Sequence, residues 1–278
     1  MTEPLAPSPP FAAPAQPAPA TAPVLGFFID LVIGLGVLLL VSLGAGVVWG
    51  VYRGIELAQQ ARQQGGTPGP EQIAQAIGQP GAMAQMLMAL TSTASAALLL
   101  YFWRRRASAQ ERQASRAAIG HRSTWALIAL VALGVFIFST AIGALAQYLG
   151  IHPVPTNLAL MEQAMDQWPL FLIVFAVALA PAYEELLFRR VLFGRLLVAG
   201  RPWLGMLLSS LAFALLHEVP GLSGNGLWAI LQLWLVYGAM GAAFAWLYWR
   251  AGTLWAPIAA HGVNNALALA ALHWFGIS

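Results

Sequence analysis

The stretch Trp168 to Arg190, WPLFLIVFAVALAPAYEELLFRR, runs through apolar residues and then ends on two adjacent glutamates, Glu184 and Glu185, with Arg189 and Arg190 just beyond. Only 8% of the chain is charged and 59% is hydrophobic, so a carboxylate pair closing such a run stands out. One carboxylate in a bilayer interior costs about 2.5 to 3.5 kcal/mol on insertion scales. Two side by side repel each other unless a proton, a cation or water relieves them.

Outward from this stretch the same composition persists, with a mean hydropathy of +0.72. Several apolar runs approach the roughly 20 residues needed to cross about 30 Å of hydrocarbon. The reading is an all-α, polytopic transmembrane helix bundle of about seven spans, within a range of about six to eight. A β-barrel needs alternating segments about ten residues long, whereas Leu127 to Ala144 is apolar almost throughout. Cysteine is absent, which removes disulfides, thiol nucleophiles and thiolate metal sites. Every basic residue other than histidine is arginine.

The spans are expected at about Val24 to Val51, Met83 to Trp103, Thr124 to Tyr148, Trp168 to Leu197, Trp203 to His217, Leu227 to Trp249 and Leu254 to Trp274. Residues 1–23 are rich in Pro and Ala and are expected to form a disordered cytoplasmic tail, because so many prolines stop a helix from propagating. The tail lacks a basic n-region and a small-residue cleavage site, so it is not expected to be a removable signal peptide. Residues 24–278 then form the transmembrane domain, with 168–278 carrying the polar motifs. The Gly-, Pro- and Gln-rich segment from Gly65 to Pro80 reads as a loop that can hold a short helix at Glu71 to Ile77.

Arg104, Arg105, Arg106, Arg112, Arg116 and Arg122 fall between the second and third spans, and Arg189, Arg190, Arg195 and Arg201 fall near the end of the fourth. By the positive-inside rule these regions face the cytoplasm, which gives a cytoplasmic N-terminus in what is expected to be a bacterial cytoplasmic membrane. The pI near 9.7 then reports topology, and no nucleic-acid partner is expected. Asp30 near the start of the first span reads as a cap or as a side chain reaching the interface.

Glu185 and Arg189 are four apart and share a helix face, whereas Glu184 lies about 100° around and has no such partner. From the turn near Gly200, Glu184 and His217 are equal distances along their helices, about 24 Å, and so face each other in an antiparallel pair. In the last span His261 and Asn265 share a face, and Asn264 points elsewhere as a helix-helix hydrogen bond. The bland alternative is that the two glutamates form an ionic clasp with Arg189 and Arg190.

The segments Glu184-Glu185-Leu186-Leu187-Phe188-Arg189, Phe213-Ala214-Leu215-Leu216-His217 and His261-Gly262-Val263-Asn264-Asn265 fit E-E-x-x-x-R, F-x-x-x-H and H-x-x-x-N in order. Over roughly its C-terminal half the chain thereby resembles the CPBP family of intramembrane endopeptidases. That family includes the type II CAAX prenyl proteases and bacterial proteins linked to bacteriocin processing or immunity. The resemblance implies that Glu184, with His217, activates a hydrolytic water. It makes His261 and Asn265 the stabilisers of the oxyanion, with Glu185, Arg189 and Phe213 in support.

Such hydrolysis needs a base for the water, donors for the oxyanion and an acid for the leaving amine. A metal-independent route is favoured, with no cofactor. Zinc held by Glu184, His217 and His261 is the alternative, although the H-E-x-x-H spacing is missing. The partners implied are a membrane-associated peptide, either prenylated CAAX-type or a leader peptide, and the lipid bilayer. The readings from other classes are a transport protein, for which no internal repeat is evident, and a non-proteolytic immunity protein.

Overall fold

A computed structural model describes residues 22–66 and 69–275. The expected Pro/Ala-rich tail therefore lies, up to residue 21, outside the described residues. Among the described residues the structure is helical throughout, without strands. Five helices are long and apolar enough to cross a bilayer: α1 (Pro23–Gln63), α3 (Ala82–Arg104), α5 (Arg122–Tyr148), α7 (Pro169–Val198) and α9 (Leu227–Ala251). The α8 helix (Pro202–His217) is apolar but has only 16 residues. The α10 helix (Trp255–Phe275) has 21 residues and is not among those five, because His261, Asn264 and Asn265 fall in its middle.

Among the described residues there are also three short helices: α2 (Pro70–Ala76), α4 (Ala109–Ile119) and α6 (Leu158–Gln167). Neither α4 nor α6 was expected. Both are too polar to read as spans, yet α4 opens on a Ser108/Glu111 capping box that satisfies its first backbone N–H groups.

Helix α7 lies at the centre. It packs on α3 along one side and on α8 and α10 along the other, while α1 covers α3 and α5 supports α9 and α10. The turns that return the chain are tight. Gly200 (φ +72°) joins α7 to α8 and Gly252 (φ +66°) joins α9 to α10, in the left-handed conformation that glycine adopts without a Cβ clash.

The α7 helix is not regular. Residues Phe175–Leu179 and Leu186–Phe193 are wound as π-helix, with Ala180 N–H bonding to the Phe175 carbonyl and Gly194 N–H to the Arg189 carbonyl. Between these wide turns sits Ala180–Glu185, which contains Pro181. The next bond of the first wide turn would run from residue 181 to the Ala176 carbonyl, and proline has no N–H to make it.

Arg189, Arg190 and Arg195 are buried. Arg190 forms a two-pronged pair with Glu111 of α4 at 2.9 and 3.1 Å. Arg195 reaches Asp30 of α1 at 2.7 Å, and Arg104 of α3 reaches the same carboxylate. Asp30 is completely buried, so it neither caps α1 nor reaches the interface. Two cations taken out of water demand an opposite charge at that spot. The three helices are thus tied at the arginine-rich end, about three turns of α7 beyond the glutamates. Beside this layer, burial and the neighbouring Arg190 and Arg195 hold the Arg105 guanidinium down to about 10.

Candidate active site

The two wide turns of α7 present Glu184 and Glu185 to different neighbours. Glu185 is fully buried and bridges two partners, Arg189 Nε at 2.8 Å and His261 Nδ1 at 3.0 Å. Arg189, also fully buried, is enclosed by three rings, its guanidinium carbon lying 4.9 Å from Phe213, 5.7 Å from Phe244 and 5.8 Å from Phe188. Aromatic faces attract a desolvated cation, and they fill the shell around a group whose one close carboxylate is Glu185. The clasp with Arg190 does not form, since that residue is committed to Glu111.

Glu184 is part-exposed and points at the two histidines. Its Oε2 lies 3.7 Å from His217 Nε2 and 3.9 Å from His261 Nε2. The equal-level arithmetic for Glu184 and His217 thus corresponds to a real approach across the α7–α8 pair. His261 meets them although it is only two turns into α10, because the α7–α8 hairpin extends further at the arginine-rich end than the α9–α10 turn.

Both imidazoles are fixed from behind. His217 Nδ1 is 2.8 Å from the Phe213 carbonyl, which can only accept, so the proton sits on Nδ1 and Nε2 is free to face Glu184. His261 Nδ1 likewise donates to the Glu185 carboxylate. The rings are also clamped by stacking. His217 lies between Phe213 at 4.1 Å and Tyr237 at 5.0 Å, and His261 packs on Phe244 at 5.0 Å with 29° between planes. Phe213 touches Arg189 and both histidines, which gives the first position of F-x-x-x-H a packing role.

Three acceptor atoms, Glu184 Oε2, His217 Nε2 and His261 Nε2, therefore converge at separations slightly too long for direct hydrogen bonds. A water with its two protons fits such a gap. Among the described residues no group of three or more His, Cys, Asp or Glu stands in metal-holding geometry. The histidines of this triad have the rear hydrogen bonds that also orient metal ligands.

Asn265 belongs to the same wall of α10 but faces α7. Its Nδ2 donates to the Ala176 carbonyl at 2.9 Å, the acceptor left over by Pro181. One turn away, a Cβ on Gly262 would collide with the Val177 carbonyl oxygen, so only glycine lets α10 approach α7 this closely. Asn264 does not bridge helices. Its amide reaches only the neighbouring Asn265 side chain, and its buried Oδ1 has no partner.

Directly after His217 the chain turns extended at Glu218, a completely buried carboxylate. It accepts hydrogen bonds from Thr156 at 2.5 Å, Asn225 at 3.1 Å and Ser223, and its carbonyl accepts from Trp234 Nε1 at 2.8 Å. Burial pushes this carboxyl up, but the three side-chain donors more than offset that and hold it below the usual carboxylate range. Glu218 thus fixes the end of α8 to the loops before α6 and α9. Pro181, Tyr237, Phe244 and Glu218 were not singled out from sequence. Only Pro181, a proline inside an apolar run, carried a visible signal.

Residues 166–267 match the family model of Rce1-like type II CAAX prenyl endopeptidases. The matched segment runs from the end of α6 into α10 and contains every residue of the cluster described above. The match makes this segment similar to that family and covers less than half of the chain. A relative in Bacillus subtilis (strain 168), named "Putative membrane peptidase YdiL", is 30% identical over 156 residues, which are 55% of this chain and 58% of that one. The chain therefore spans little more than half the length of that relative. No solved structure matches it significantly.

Proposed function

We propose that this protein is an intramembrane endopeptidase that uses a water activated by Glu184 and His217 to cleave a membrane-associated peptide. The observation that carries the reading is the convergence of Glu184 Oε2 on two imidazole Nε2 atoms at 3.7 and 3.9 Å, each imidazole held by a rear hydrogen bond. A water in that gap donates one proton to Glu184 and directs a lone pair at the peptide carbonyl. Glu184 then returns the proton to the leaving amine.

In this scheme His261 takes a proton from bulk water before the peptide enters, its Nε2–H donates a hydrogen bond to the oxyanion and keeps that proton, and the Glu185 carboxylate behind it stabilises the imidazolium. Asn265 contributes its second amide hydrogen, the first being held by the Ala176 carbonyl. Arg189 holds Glu185 in place, and Phe213 sets the planes of both rings. The family match and the peptidase-named relative support a membrane protease. A prenylated CAAX-type or leader peptide is the substrate class the family suggests. The arginine-rich end is taken to face the cytoplasm, with the N-terminus on that side of a bacterial membrane.

A second reading is zinc catalysis, favoured by the two rear-anchored histidines beside a carboxylate. There Glu184, His217 and His261 would hold the ion, which would supply the acidified water.

The test is to reconstitute the protein in vesicles containing membrane-anchored peptides and to read new peptide termini by mass spectrometry, before and after a chelator. New termini that persist through chelation support the glutamate route. Loss restored by zinc favours the metal, and solute flux without any cleavage points to a transporter.

A further inference from the structure

At the arginine-rich end, α4, α5 and α10 enclose a groove of about 220 Å³ lined by Ile119, Trp125, Trp255, Ile258 and Ala259. Trp125 and Trp255 are each about half exposed, at 54% and 53%. Both begin their helices at the arginine-rich end, the depth at which indole rings settle between headgroups and acyl chains.

The groove has a cationic rim. Arg116 lies one helical turn before Ile119, and Arg122 one turn before Trp125, so each shares a face with a groove residue. Both arginines are exposed, and among the described residues neither enters an ion pair, unlike Arg104, Arg189, Arg190 and Arg195. The wall that carries Arg116 is fixed in place. Glu111 pins α4 to Arg190 of α7, and Ser115 shares a 2.7 Å hydrogen bond with Thr253 before α10.

Apart from indole N–H groups, the lining side chains offer no hydrogen bonds. A peptide laid here would leave its backbone N–H and C=O groups unsatisfied, whereas an acyl chain asks for none. An apolar slot at interface depth with two unpaired guanidiniums at its mouth complements a molecule that has a hydrocarbon tail and a negative head.

We propose that this groove is a binding site for an anionic phospholipid, one acyl chain lying between Trp125 and Trp255 and the phosphate meeting Arg116 and Arg122. Ile258 stands one turn before His261, so the bound lipid braces the helix that carries this histidine. The site is independent of the hydrolytic reading, because its occupancy is measured without turnover.

The experiment uses purified full-length protein in mild detergent with added dioleoyl phosphatidylglycerol, or dioleoyl phosphatidylcholine of the same chains, and counts bound lipids by native mass spectrometry. Phosphatidylglycerol is expected to be retained preferentially. The double variant Arg116→Gln/Arg122→Gln is expected to bind it about thirtyfold more weakly, from about 1 kcal/mol per arginine near a membrane surface. The double variant Arg106→Gln/Arg201→Gln, which removes two exposed arginines elsewhere at the same end, is expected to bind as the parent does. Equal retention of both lipids would overturn the proposal. So would equal weakening by both double variants, or a second copy of the chain occupying the groove in place of lipid.

Discussion

Replacing Glu185 with leucine removes the carboxylate that lies between Arg189 and His261 and leaves Arg189 fully buried with only the Phe188, Phe213 and Phe244 rings around it. Breaking a buried pair in this way costs about 3 to 5 kcal/mol, because the remaining charge keeps its desolvation penalty and loses its partner. Replacing both members by apolar groups of similar volume is often neutral or better. Methionine suits the position of Arg189, since a thioether packs well against aromatic rings. Glu185→Leu alone should therefore lose about 3 to 5 kcal/mol, and Glu185→Leu/Arg189→Met should recover most of it. Turnover should not return with stability, because His261 Nδ1 has lost the acceptor that fixes its tautomer. The assay is denaturant unfolding in detergent, followed by circular dichroism, beside peptide cleavage on the same preparations. If Glu185→Leu were as stable as the parent, or if adding Arg189→Met deepened the loss, the ion-pair argument would be wrong.

Gly262→Ala places a Cβ against the Val177 carbonyl and must push α10 away from α7, so an unfolding free energy lower by about 1 to 3 kcal/mol and slowed cleavage are expected. Wild-type values for both would mean that the close approach is not needed. Asn265→Ala orphans the Ala176 carbonyl already abandoned by Pro181 and should cost about 1 to 3 kcal/mol in the same unfolding measurement. A drop in turnover with unchanged stability would instead assign Asn265 to the oxyanion alone. Glu218 and Glu111 are both held below their ordinary value of 4.5 in the folded protein. For Glu111, burial acts upward and is outweighed by the hydrogen bonds from Arg190 and Ser108. A folded-state value below the unfolded one adds stability above about pH 4.5, lost as pH falls through the folded value. Unfolding midpoints taken from pH 7 to pH 3 should fall in the acid range, and Glu218→Gln should flatten that fall.

How far the sequence discloses this site depends on the kind of interaction. The Glu185–Arg189 pair is written in the spacing of four along one helix, and the meeting of Glu184 with His217 follows from counting residues out from the Gly200 turn. Both are local arithmetic along single helices, and both survive the wide turn at Leu186–Phe193 that such counting does not foresee. The Asn265 contact is not, because it requires knowing that α7 winds wide before Pro181 and that Gly262 lets α10 approach. The depth of Asp30 was hidden for a similar reason. Its two cations come from α3 and α7, and only the assembled bundle brings them to one carboxylate. Helix α4 leaves a usable trace in the Ser108 to Glu111 capping spacing, but its polar residues carry no apolar-span signal. Tyr237 and Phe244 resembled any other aromatic residues of a membrane helix until the imidazoles were seen against them.

The central claim is that Glu184 is the base, and the direct measurement is the cleavage rate of Glu184→Gln beside the parent in the same vesicles. Glutamine keeps the shape of a side chain that is part-exposed and makes no direct hydrogen bond to either histidine, so folding should be unchanged. Loss of the proton acceptor should lower turnover by about 10² to 10⁴. A folded Glu184→Gln protein that cleaves at the parental rate would contradict the account.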